Sequence, residues 1–110
     1  AGMLDQNIED EGIAWVTEML SDQFDGYIPA AFCELLFMLE RQIREESGDL
    51  AMDHATMTDR LMEMFEADPE VPTETGAVSP NLVFETLHWE DQFRSMAGEF
   101  RNLRPPTGAR

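Results

Sequence analysis

Glu85 and His88 lie three residues apart, so a helix carrying them presents a carboxylate and an imidazole on one side. Glu-x-x-His is the local pattern of di-iron carboxylate bundles, where two such motifs and two further glutamates complete the site. This chain holds one copy, and Glu34 is the residue placed to add a ligand from another helix. Such a site needs two chains, each contributing half. A sequence with 14 glutamates also produces the motif readily by chance. On a helical wheel the pair falls beside the neighbouring apolar seam, with Gln92 and Ser95, rather than at its centre.

Other constellations that support catalysis are missing. The sequence has no phosphate-cradling glycine loop, no Cys-x-x-Cys, no His-Glu-x-x-His and no Gly-x-Ser-x-Gly. Asp22, Asp25 and Gly26 are too sparse for a calcium loop. Two histidines, one cysteine and no lysine leave few candidates for base or nucleophile. Cys33 sits in an apolar run beside Glu34, whereas a reactive thiolate needs a basic, partly exposed setting. It reads as a buried, inert thiol, and a lone cysteine suits a reducing cytoplasm. Met52, His54 and Met57 offer soft-metal donors, yet a methionine-dense helix is ordinarily core, or else the lining of an adaptable partner groove. A cytoplasmic protein without catalysis or cofactor is expected.

The bulk charge narrows the partners. Seven arginines face 23 acidic residues, for a net charge of −16 and a pI near 4.1. A field of this sign repels nucleic-acid phosphates and anionic lipid, and it attracts basic proteins or cations. It also serves solubility or salt tolerance with no partner at all. No apolar run is long enough to span a bilayer. Neither direct nucleic-acid binding nor membrane contact is expected.

The elements that must position these residues are helices. The most apolar stretch covers residues 29–46, and Pro29 suits a first helical turn, where its missing N–H costs nothing. Phe32, Leu35, Leu36, Leu39 and Ile43 share one face. Ala30, Phe37 and Met38 form a second, nearly opposite, rimmed by Glu34 and Arg41. A helix apolar on two sides must be covered on two sides, by its own chain or by a second copy. Glu40/Arg44 and Arg41/Glu45 read as i,i+4 pairs of opposite sign, each worth roughly a few tenths of a kcal/mol.

Upstream, a helix over residues 5–24 opens with Asp5, Glu9, Asp10 and Glu11, where carboxylates suit the positive end of the dipole. It buries Ile8, Gly12, Trp15, Val16, Met19 and Leu20, with Ile13 and Phe24 at the border. Gly12 costs about 1 kcal/mol relative to Ala inside a helix, so its use here points to close approach of a neighbour. Asp25-Gly26 marks a turn. Downstream, Ser47-Gly48-Asp49 ends the central helix, and a helix over 54–67 follows, capped by Asp53 or Thr56. Its stripe is Met57, Leu61, Met64 and Phe65. Three prolines and a glycine make residues 68–80 an irregular linker. The last helix, over 80–103, starts from Ser79 and Pro80. It carries Leu82 and then Trp89, Phe93, Met96, Phe100 and Leu103 as a heptad-like seam. Arg94, Arg101 and Arg104 gather at its C-terminal end, and residues 104–110 are expected to fray.

Together these features specify an all-α, single-domain, four-helix bundle-like fold, expected as a homodimer. The function they favour is a non-enzymatic, acidic protein–protein interaction module in an adaptor, regulatory or assembly role. Ala30, Glu34, Phe37, Met38 and Arg41 are the expected partner-binding residues, and a second copy or a basic or hydrophobic protein is the expected partner. One alternative is an acidic mimic of nucleic acid that occupies a basic DNA- or RNA-binding surface. The other is a dimeric ferritin-like di-iron protein with Glu34, Glu85 and His88 as ligands.

Overall fold

A computed structural model of the chain describes residues 6–98. It contains helices α1 (Gln6–Gln23), α2 (Ala30–Ser47), α3 (His54–Glu66) and α4 (Pro80–Met96), and no strand occurs among the described residues. Asp5, the side chain of Ile8, and Phe100, Arg101, Leu103 and Arg104 lie outside what is described, as does the tail at 104–110.

Local chemistry sets the ends of these helices. Asp53 caps α3, its carboxylate accepting from the Thr56 N–H at 3.1 Å and the Thr56 hydroxyl at 2.7 Å. Ser79 caps α4 by accepting from the Leu82 N–H at 3.2 Å, with Pro80 in the first turn. Pro29 stands one position earlier than expected, as the extended N-cap of α2. At the end of α1 the left-handed residue is Asp25, with φ 53°, and not the neighbouring Gly26. The Gly26 N–H then reaches back to the Ser21 carbonyl at 3.1 Å. The expected run of the last helix to 103 is corrected: α4 ends at Met96, because Gly98 turns left-handed at φ 84° just past the Ala97 cap.

The four helices close a ring, α1 packing on α2 and α4, and α3 on the same two neighbours. Neighbours run antiparallel. Gln23 at the end of α1 meets Glu85 early in α4, while Gly12 meets Phe93 late in it. Phe32 meets Phe65 across one end of α2 and α3, and Arg44 meets the Met52 carbonyl at the other.

The core has two lobes. Leu36, Ile43, Met52, Met57, Leu61, Phe65, Val83 and Leu87 lie among α2, α3 and α4, whereas Val16, Leu20, Cys33 and Leu82 lie among α1, α2 and α4. Phe32 and Phe37 touch both. The linker is not loose. Val78 is buried in the first lobe with Val71 packed beside it, and the Val78 N–H donates to the Pro72 carbonyl at 3.1 Å.

Two faces are rotated from expectation. In α2 the buried residues are Cys33, Leu36, Glu40, Ile43 and Arg44, with Leu35 and Leu39 only half-buried. In α4 they are Leu82, Val83, Thr86, Leu87 and Glu90; Trp89 and Phe93 are half-buried and Met96 is exposed. Each of these helices has two neighbours, so the deepest line falls between them rather than along the most apolar stripe.

Candidate functional site

Rotation of α2 carries an ion pair into the interior. Arg44 Nε and Nη2 donate to Glu40 Oε2 at 3.1 and 2.9 Å, and both side chains are buried. Arg44 Nη1 also donates to the Leu50 and Met52 carbonyls at 3.2 and 3.0 Å, so one guanidinium ties the end of α2 to the connection into α3. The small worth expected from spacing alone is corrected, because both partners are buried. Glu90 is buried in the same manner beneath Arg94, 3.1 Å away. Between α3 and α4, His54 Nε2 lies 2.7 Å from Asp91 Oδ2, off the line of a hydrogen bond, with the Phe84 ring edge-on to the imidazole. Glu40/Arg44 and Glu90/Arg94 are each pairs within one helix, whereas the His54/Asp91 contact joins two. Cys33 is fully buried, and burial pushes its thiol pKa up, opposed by a hydrogen bond with Thr17. Met52 and Met57 are core residues, which removes them from any exposed soft-metal site with His54.

The outward face of α2 carries the expected partner-binding residues. Ala30, Glu34 and Arg41 are exposed, and Met38 keeps 51% of its surface in solvent. Phe37 differs from the other four. It is half-buried and packs on both lobes, because its place one turn after Cys33 leans it toward α1. Arg41 Nη2 lies 3.8 Å from Glu9 Oε2 across to α1 instead of pairing along its own helix with Glu45. Both groups are well exposed, so the contact contributes little.

A second surface follows the α1/α4 seam. Trp15 and Trp89 meet edge to face with centroids 5.7 Å apart, and Phe93 lies 6.1 Å from Trp15. Gly12 makes this approach feasible, since a Cβ there would sit 2.9 Å from the Phe93 ring. Gln23 links the two helices: its Nε2 donates to Glu85 Oε1 at 3.1 Å, and its Oε1 accepts from Trp89 Nε1 at 2.7 Å. These two partners together fix which way the amide points. His88 is exposed, with its ring against Trp89 at 5.0 Å.

Comparisons with protein-family models, with characterised proteins and with solved structures give no match.

Glu85 and His88 therefore share a helix side as their spacing required, but each is engaged with the seam. Glu34 projects from α2, which is not an adjacent neighbour of α4 in the ring. Among the described residues no three His, Cys, Asp or Glu side chains converge to hold a metal ion. Gln23 and its bridging role escaped the sequence reading. Nothing in a lone glutamine at a helix end signals a partner 62 residues downstream.

Proposed function

We propose that this chain is a non-enzymatic, acidic helical interaction module, pairing with a second copy or with a basic or hydrophobic protein in an adaptor, regulatory or assembly role. The observation that carries this is Met38, half in solvent on the outward face of α2, one turn after exposed Glu34 and two turns after exposed Ala30. An unbranched thioether adapts its shape to different partners, and surrounding carboxylates add selectivity for positive charge. The buried carboxylates of the described residues are engaged in a cap and in ion pairs: Asp53 at the start of α3, Glu40 with Arg44, and Glu90 with Arg94. A net charge of −16 weighs against direct contact with nucleic-acid phosphates. No helix among the described residues is long and apolar enough to cross a membrane.

Met38→Asp tests the α2 face without disturbing the core, which Phe37 substitutions would do. Native mass spectrometry of the wild-type chain should show a dimer, and the variant should be monomeric with unchanged helical circular dichroism. A monomeric wild type, or a Met38→Asp dimer as stable as the parent, would refute pairing through this face.

A further inference from the structure

We infer that the α1/α4 seam is a cation-recognition groove that takes an arginine-bearing segment of a basic protein; this rests on the interaction-module function and names a second surface and its chemistry. Trp15 and Trp89 are only half-buried, so part of each indole stays in solvent. Carboxylates stand within one helical turn of both: Glu11 and Glu18 flank Trp15, and Glu85 precedes Trp89. Glu11 and Glu18 are exposed, as is Asp22 further along the same side of α1. The Gln23 bridge between Glu85 and Trp89 Nε1 preorganises the α4 wall, and Met96, 62% exposed, extends the seam beyond Phe93.

Charge decides the occupant. An apolar partner would bury indoles together with the carboxylates beside them, leaving those anions desolvated and uncompensated. A guanidinium satisfies both features, since it stacks on an indole face and pairs with a neighbouring carboxylate in a bidentate fork. An ammonium of equal charge has no planar face and forms no fork, so arginine should be favoured over lysine. Within α4, Arg94 turns to Glu90.

The test titrates the full chain with an arginine–glycine repeat peptide and its lysine counterpart, following tryptophan emission at low and moderate salt. Wild type should bind the arginine peptide several-fold more tightly than the lysine one. Trp15→Leu, which keeps apolar bulk, should weaken binding about tenfold. Glu18→Gln, a surface change that leaves packing intact, should weaken it about threefold. Glu63→Gln on the exposed side of α3 should leave it unchanged. Equal losses for Glu18→Gln and Glu63→Gln, or equal affinity for the two peptides, would mean diffuse attraction to an acidic surface and overturn the groove. Absence of binding at low salt would overturn it as well, while the Met38→Asp dimer measurement would still stand or fall by itself. A wild-type dimer that Trp15→Leu dissociates would assign the seam to a second copy and equally overturn the proposal.

Discussion

Replacing Arg44 by methionine keeps most of the stem volume and removes the guanidinium. The wild-type group donates twice to Glu40 Oε2, at 3.1 and 2.9 Å, and once each to the Leu50 and Met52 carbonyls. Glu40 is 2% exposed and Arg44 5%, so solvent cannot replace what is lost at the carboxylate. Breaking a buried ion pair by removing one partner costs about 3–5 kcal/mol, because a charge is left in a poorly solvated place. The Met52 carbonyl loses its guanidinium donor and adds about 1 kcal/mol, whereas Leu50 is an exposed residue whose part-buried carbonyl is nearer to water. The expected loss is therefore about 5 kcal/mol, a large part of the roughly 5–15 kcal/mol that typical domains possess. Urea unfolding followed by helical circular dichroism reads it as a shift in midpoint at constant slope. The double variant Glu40→Leu/Arg44→Met should recover about half of the loss, since no lone charge stays buried. A cost below about 1 kcal/mol for Arg44→Met would mean the pair behaves as a solvated surface pair, and the reasoning would fail. A double variant less stable than the single one would refute it too.

Three further outcomes follow from the same packing. Gly12→Ala gains about 1 kcal/mol of helix propensity but drives a Cβ to 2.9 Å from the Phe93 ring, so a net loss of about 1 kcal/mol is expected. In a Phe93→Leu background the same change should turn neutral or stabilising, which thermal unfolding of the four variants would show. Asp53→Ala removes two hydrogen bonds at the start of α3 and should cost about 1–2 kcal/mol in urea, with Asp53→Asn recovering part of it. Cys33 should react with a thiol reagent only as fast as the bundle opens. Its folded pKa is raised by burial, so the folded thiol keeps a proton that the unfolded one has lost. This stabilisation is present below the ordinary value of about 9 and declines as pH rises above it; Cys33→Val should lack that decline.

Much of the fold was legible in local sequence. Asp53, Ser79 and Pro80 act within one turn of a helix start, so the beginnings of α3 and α4 follow from residues that touch each other along the chain. Gly12 was legible for a different reason, because a costly residue inside a helix implies a neighbour that needs the space. The end of α4 was missed because the apolar repeat runs on past Gly98 to Leu103. A glycine in an apolar repeat can be tolerated or can stop the helix, and only its left-handed φ decides which. The burial of Glu40 and Arg44 was missed because spacing gives the pair and not its depth.

What the amino-acid sequence determined by itself is the all-helical class, the placement of the helices, the acidic field and the shared side of Glu85 and His88. All of these depend on interactions within a turn or two of chain, or on composition. Tertiary structure alone decided which side of α2 and α4 faces inward, that half-buried Phe37 packs against the core while Met38 stays exposed, and that Gln23 joins Glu85 to Trp89. Those outcomes depend on where two neighbouring helices stand. That position is set by packing between segments distant in sequence, about which periodicity along one helix carries no information.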